Sequence, residues 1–165
     1  MNASFTRKTR DLDRFDRAIL RILQKDNRTP QRTIAEQVNL SPAAVQRRVA
    51  ALEASGVIVA NVAVLAPDAL QAAITVVVEV HLLNDQSSIV EPTKTLFRTT
   101  PEIQQCYYVT GSAGFILVMI IPDMTSYEAI SRRLFADNPV VVTFRTLVVL
   151  DTVKAGLEIV VPEGK

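Results

Sequence analysis

The sequence has few of the residues from which metal centres and catalytic sites are usually built. Its 165 residues include one cysteine, Cys106, and one histidine, His81. A single cysteine excludes an intrachain disulfide and a cysteine-based zinc cluster, and a single histidine excludes a histidine-rich metal site. A nucleophilic triad would depend on His81 alone. The composition therefore argues against an enzyme, and it predicts a protein that needs no cofactor.

Long hydrophobic runs are also lacking. The longest uninterrupted apolar run is Phe115–Ile121, whereas a helix that spans a bilayer needs roughly 18–20 apolar residues. The first ten residues are polar and basic, and no apolar segment follows that could act as a secretory signal. These absences predict a soluble, cytoplasmic protein that does not interact with membranes. Hydrophobic residues still make up 48% of the chain, so it can bury a core.

The formal net charge of +1 conceals a difference between the two ends of the chain. Residues 1–56 carry 11 basic and 6 acidic side chains, while residues 57–165 carry 7 and 11. A basic first third before an acidic remainder predicts two domains with different partners. We expect a basic tail at 1–11, a helical domain at 12–56, a linker arm at 57–72 and a second domain at 73–165. The tail could be disordered or could contact phosphates.

Three short helices are predicted within residues 12–56. The carboxylate of Asp13 can cap the first of them. Thr33 and Glu36 have the spacing of a capping box, which predicts the start of the second helix. Ser41-Pro42 is typical of the start of a third helix, and Gly56 is placed to end it. Two short helices joined by a tight turn and braced by another form a helix-turn-helix.

A helical wheel predicts which side of the third helix faces outward. With Val45 buried and about 100° per residue, Arg47 and Ala43 each lie about 160° from it. Small residues allow close approach to a DNA major groove, where Arg or Gln can form bidentate hydrogen bonds to guanine or adenine. Helix starts and the preceding loop are expected to contact phosphates. The predicted DNA-binding residues are Arg28, Arg32, Thr33, Ser41, Pro42, Ala43, Ala44, Gln46, Arg47 and Arg48.

The second domain is predicted to be rich in β structure. The pattern predicts two helices, around residues 89–97 and 127–135, and four strands, at Thr75–Leu82, Ile103–Thr110, Phe115–Ile121 and Val140–Leu150. The resulting order, β-α-β-β-α-β, is typical of an α+β, ferredoxin-like fold in which both helices cover one face of an antiparallel sheet. Leu157–Val161 could add another short strand.

The other face of this sheet has no predicted cover. Phe115–Ile121 is apolar on both of its faces, so the outer face needs a partner. We expect a second copy of the chain to pack there, which would give a two-fold homodimer with two DNA-binding heads. Such heads would contact half-sites roughly 34–36 Å apart, or a multiple of that distance.

Several motifs, in a fixed order, carry a family resemblance: Leu12–Leu20, Leu40–Pro42 with Val45, Arg48, Val49 and Leu52-Glu53, Gly56–Ile58, Val109–Gly111, Pro122–Met124 and Arg145–Val149. With them the chain resembles the leucine-responsive regulatory protein/asparagine-synthetase regulator (Lrp/AsnC) family of transcription factors. The resemblance implies an N-terminal winged-type helix-turn-helix and a C-terminal ferredoxin-like domain for ligand sensing and oligomerisation. It also implies dimers, often assembled into octamers, whose DNA binding responds to amino acids or related metabolites.

The resemblance also implies an effector site, comprising Thr110, Gly111, Ser112, Ala113, Gly114 and Phe115. The family commonly has acidic residues where this chain has Ser112 and Gly114, so a carboxylate partner for an α-amino group is missing. Either the effector is not an α-amino acid, or no effector binds. The family also usually has Gly where Asn39 stands, and Asn can still make a turn there.

Two functions therefore compete. The first is a sequence-specific regulator that binds double-stranded DNA, and the caps, the short turn and the basic first third favour it together. The second is a small-molecule-sensing module that does not read DNA directly, in which the arginine-bearing helix is a solvated face or a protein-binding surface.

Overall fold

The computed structural model of the protein describes residues 11–71, 74–111 and 114–163. These residues divide into two compact units. The helical unit contains the described residues up to Ala63 together with those from Lys154 onward, and the sheet unit contains the residues between Val64 and Val153. The prediction assigns residues 73–165 to the second domain, whereas the described residues from Lys154 onward belong to the helical unit. No local sequence pattern marks this return.

The helical unit contains three helices: α1 (Arg14–Leu23), α2 (Gln31–Val38) and α3 (Pro42–Ala54). Asp13 caps α1 as predicted, because its Oδ1 accepts a hydrogen bond from the Asp16 amide at 2.8 Å. The predicted capping box is wrong. Helix α2 begins two residues before Thr33, directly after Pro30, and has no side-chain cap.

Asn39 makes the turn between α2 and α3. Its φ of 54° and ψ of 49° are left-handed, a conformation that Asn adopts more readily than most residues. Ser41 then caps α3, since its Oγ accepts a hydrogen bond from the Ala44 amide at 3.2 Å, and Pro42 takes the first helical position. Both features of this helix start confirm the prediction.

Gly56 ends α3 as predicted. With φ at 69°, it lets the chain turn back so that its amide donates to the Glu53 carbonyl and the Val57 amide donates to the Leu52 carbonyl. The core of this unit then consists of apolar side chains from all three helices, which are Ile19, Ile34, Ala35, Val38, Val45 and Leu52. Two of the six belong to α3, so the core sets which side of that helix is hidden.

The sheet unit has the predicted order of elements: β1 (Ile74–Leu82), α4 (Ser87–Thr99), β2 (Ile103–Tyr108), β3 (Phe115–Ile121), α5 (Met124–Ser131) and β4 (Val141–Val148). Helix α5 continues into a π-helical turn at Arg132–Ala136. The strands are antiparallel in the order β2-β3-β1-β4, which confirms the ferredoxin-like, α+β prediction. The strand suggested at Leu157–Val161 is wrong, because that segment lies outside any strand and belongs to the helical unit.

The two faces of the sheet differ in burial. One face packs on the helices and is closed by fully buried side chains of β1 and β3, which are Val76, Val78, Val80, Phe115, Leu117, Met119 and Ile121. On the other face, Val77 lies opposite Val118 in the β1–β3 pairing, and both are only half-buried. None of the helices in the described ranges is both long and apolar enough to cross a membrane.

Candidate functional site

Helix α3 presents a polar face away from the core of the helical unit. Val45 and Leu52 are completely buried, whereas Gln46 and Arg47 are exposed. Ala43 is exposed near the start of the helix. The burial pattern agrees with the helical wheel, so the outer surface of α3 combines a small residue with two side chains that can hydrogen-bond to base edges.

The guanidinium of Arg48 makes different contacts. Its Nη1 lies 2.7 Å from Oδ2 of Asp13 and 2.8 Å from Oδ1 of Asp16, and its Cζ lies 5.4 Å from the centre of the Phe15 ring. Asp16 is only 2% exposed, and the Arg48 side chain is 23% exposed. Arg48 therefore ties α3 to the start of α1, although the sequence analysis places it among the DNA-binding residues.

Electrostatics within this cluster match the geometry. The hydrogen bonds that Arg48 donates to Asp16 and Asp13 raise its pKa above the ordinary value. Burial acts to raise the pKa of Asp13, but the Asp16 amide and the Arg48 guanidinium outweigh it, and the pKa of Asp13 is lowered. The charged forms of Arg48 and Asp13 are thus the favoured ones at neutral pH.

The other predicted DNA-binding residues lie around the starts of α2 and α3. Arg28 is exposed in the loop before α2. The Arg32 side chain is 86% exposed in the first turn of α2, where its Nε is 3.4 Å from Glu36 Oε1. Ser41 and Pro42 are exposed at the start of α3, whereas Thr33 and Ala44 are half-buried.

A contact that the sequence analysis missed joins α1 to the C-terminal segment. Arg21 donates hydrogen bonds to the carbonyl oxygens of Val161 and Pro162 at 3.1–3.3 Å. The Ile159 amide donates to Oε1 of Gln24 at 3.3 Å. No sequence pattern pairs residues so far apart, so only the structure shows that this segment braces the helical unit.

The predicted effector loop is described in part, since Ser112 and Ala113 lie outside the described residues. Thr110 and Gly111 are exposed, and Gly111 has a φ of 109°, which favours glycine. The Gly114 amide donates to the Val80 carbonyl at 2.9 Å and so anchors the end of the loop on β1. Phe115 is fully buried beneath the helices.

A cleft of about 410 Å³ lies between α4 and β2. Its walls include Phe97 and Phe115, together with the basic side chains of Lys94 and Arg98 and the thiol-bearing residue Cys106. Lys94 and Arg98 were not predicted as site residues, although they are four residues apart and so share one side of a helix. Across the described residues, no group of three or more His, Cys, Asp or Glu side chains could hold a metal ion.

Comparisons with known proteins find a matching family model for the helices and another for the sheet. Residues 12–59 match a family model described as winged helix-turn-helix DNA-binding, and residues 75–159 match one described as the Lrp/AsnC ligand-binding domain. The chain is 43% identical over 145 residues to an HTH-type transcriptional regulator of Sinorhizobium fredii, covering 88% of this chain and 86% of that one. It is 36% identical over 155 residues to the leucine-responsive regulatory protein of Escherichia coli K12, covering 94% of each chain.

Solved structures give the same result for the fold. An AsnC family transcriptional regulator from Agrobacterium tumefaciens superposes with a TM-score of 0.84 at 28% identity, covering 90% of this chain and 96% of that one. A Neisseria meningitidis transcriptional regulator, solved as a complex with L-Met, also has a TM-score of 0.84, at 24% identity, over 90% of this chain and 96% of that one.

Taken together, the helix-turn-helix and the ligand-binding domain define a DNA-binding transcriptional regulator. The chain belongs to the Lrp/AsnC family.

Proposed function

We propose that the protein regulates transcription by inserting α3 into the major groove of its operator, with Gln46 and Arg47 reading base edges. The observation that carries this proposal is the division of α3 into a side with buried Val45 and Leu52 and a side with exposed Arg47. Ala43 adds no bulk that would keep the helix backbone away from the bases.

Phosphate contacts come from the residues around the helix starts. Arg28 and Arg32 supply charge, and Thr33, Ser41, Pro42 and Ala44 lie in or beside the first turns of α2 and α3, where the DNA backbone would pass. Arg48 takes no part in reading DNA on this account. Its hydrogen bonds to Asp13 and Asp16 hold α3 at a fixed angle on α1, so its contribution is positional.

The open face of the sheet is the proposed homodimer interface. Half-buried Val77 and Val118 lie at its centre, and Leu147 and Tyr107 at its sides are 45% and 53% exposed. A second copy packed on this face would cover the apolar surface and pair two DNA-binding heads. The family resemblance further implies that such dimers assemble into octamers.

The sheet unit is the proposed sensor of a small metabolite. Two observations support this role: the match to a ligand-binding domain, and the L-Met complex of the Neisseria regulator that shares the fold. The region from Thr110 to Phe115 is the proposed effector site, although Ser112 and Gly114 offer no carboxylate for an α-amino group. The protein then acts by binding and not by catalysis, in the cytoplasm where the chromosome lies.

Fluorescence anisotropy with a labelled fragment from upstream of the protein's own gene tests DNA reading. The complex should weaken steeply between about 50 and 200 mM salt, and a shuffled fragment should bind more weakly. Arg47→Ala should lower affinity for the specific fragment by roughly 5- to 150-fold, equivalent to about 1–3 kcal/mol. A matched control is Arg132→Ala, which removes an exposed arginine of the sheet unit. Absence of a salt-sensitive complex on every fragment tried would reject the proposal.

A further inference from the structure

We propose that the cleft between α4 and β2 binds a small organic carboxylate that has an apolar body and no ammonium group. This inference rests on the proposed function, because it names the class of ligand that the sensor unit takes. It extends the proposed effector site, which shares Phe115 with the cleft, toward α4 and β2. Its starting point is the lining of the cleft, where two basic side chains, Lys94 and Arg98, stand beside aromatic rings and no acidic side chain.

Arg98 is the group that would hold the carboxylate. Within the described part of the chain, its guanidinium forms no ion pair and no side-chain hydrogen bond. Lys94 is already engaged, since its Nζ lies 2.8 Å from Oε1 of Glu91 and 4.8 Å from the centre of the Tyr108 ring. A planar guanidinium can bind both oxygens of a carboxylate at once, and Lys94 adds a second positive charge nearby.

The inner wall of the cleft would hold the apolar body. Among its aromatic rings, that of Tyr108 is 44% exposed and can contact a ligand, while the rings of Phe97 and Phe115 are fully buried and back this wall with their centroids 5.2 Å apart. The Tyr108 ring stands 5.1 Å from that of Phe115 and extends the same wall. Small-molecule sites are typically clefts of roughly 300–1,000 Å³, and the volume of about 410 Å³ falls within that range.

An ammonium group would find no acceptor of opposite charge in this lining. The two acidic side chains that contact residues of the lining are occupied: Glu91 pairs with Lys94, and Oδ1 of Asp85 accepts a hydrogen bond from the Tyr108 hydroxyl at 3.1 Å. An α-amino acid would therefore bring a desolvated positive charge close to Arg98 and Lys94. A 2-oxo acid with the same carbon skeleton keeps the carboxylate and avoids that penalty.

Calorimetry on the full chain with 4-methyl-2-oxopentanoate and L-leucine tests the proposal, because the two probes differ only in the oxo and ammonium groups. The oxo acid should bind at least about tenfold more tightly. Arg98→Gln removes a charge-assisted hydrogen bond and should weaken oxo-acid binding by roughly 10- to 100-fold. Arg132→Gln, which removes an exposed arginine on the π-helical turn after α5, should leave it unchanged. Leucine binding that equals or exceeds oxo-acid binding would overturn the proposal, as would an unchanged affinity in Arg98→Gln.

Cys106 supplies a second readout that needs no variant. It lines the cleft and is the only cysteine of the chain, and partial burial raises the pKa of its thiol. Saturating oxo acid should slow its alkylation by iodoacetamide several-fold, while leucine should not. Equal alkylation rates with and without the oxo acid would count against occupancy of the cleft.

The DNA assay separates this inference from the proposed function. Binding and Cys106 protection by the oxo acid, with no change in affinity for DNA, would retain the cleft site and reject its role as a sensor. DNA binding without any oxo-acid binding would reject the cleft inference and leave the DNA-binding proposal intact.

Discussion

Two neighbouring arginines of α3, Arg47 and Arg48, should have different roles, and alanine substitutions distinguish these roles. Arg48→Ala removes the guanidinium that bridges Asp13 and Asp16. Arg47→Ala removes an exposed side chain at the proposed DNA surface. The first variant should lose stability, and the second should lose DNA affinity while it remains as stable as the wild type.

The contacts of Arg48 set the size of the effect. Its hydrogen bond to Asp16, which is 2% exposed, is charge-assisted and largely buried, so losing it should cost about 2–3 kcal/mol. The bond to Asp13, whose side chain is 49% exposed, is weakened by solvent and adds less than about 1 kcal/mol. A total of about 3 kcal/mol in a unit this small lowers the midpoint temperature Tm by roughly 10–20 °C. Arg47→Ala should change stability by less than about 0.5 kcal/mol.

Circular dichroism melting of the three proteins measures these effects, and anisotropy at a temperature where all are folded measures DNA binding. A Tm for Arg48→Ala within a few degrees of the wild type would refute the proposed bracing role. A large loss of stability in Arg47→Ala would show that this side chain supports the fold and would undermine the assignment of the outer face.

Three further outcomes are expected. Ser41→Ala removes the side-chain cap of α3 and should lower stability by about 1 kcal/mol, seen in thermal melts; an unchanged Tm would contradict the cap. Because the folded-state pKa of Asp13 is lowered below its ordinary 3.8, its carboxylate stabilises the fold above that pH, and this contribution is lost as pH falls through the folded pKa. Asp13→Asn keeps a capping side chain but loses the charge opposite Arg48. Its free energy of unfolding, measured in urea melts, should fall below that of the wild type at neutral pH, and this difference should shrink below about pH 4. A difference that does not change with pH would contradict the expected direction of the pH dependence. Val118→Glu places a charge on the open sheet face and should convert dimers to monomers in sedimentation velocity, whereas an unchanged dimer would place the interface elsewhere.

Local patterns predicted much of the fold, because local physics decides those features. The side chains of β1 and β3 that the fold buries follow the alternation of a strand, and the ends of α3 follow Ser41-Pro42 and Gly56, whose chemistry suits them. The prediction at Thr33 is wrong because α2 begins at Gln31, directly after Pro30, which places Thr33 inside the first turn and not at its cap.

Features that depend on distant contacts could not be read from the sequence. A helical wheel gives the direction of Arg48 but not the reach of its long side chain, which extends to carboxylates more than 30 residues earlier in the chain. The return of the C-terminal segment to Arg21 has no local pattern. The α4–β2 cleft likewise brings Arg98 and Cys106 together only when the strand packs beside the helix.

Hydroxyl-radical footprinting on the protein's own upstream fragment tests the central claim most directly, namely that paired α3 helices read bases from one face of a duplex. The account predicts protected patches spaced by about one helical turn, 10–10.5 bp, or a multiple of it. These patches should vanish in Arg47→Ala and persist in Arg132→Ala. Uniform protection without a repeat, or an unchanged pattern in Arg47→Ala, would contradict it.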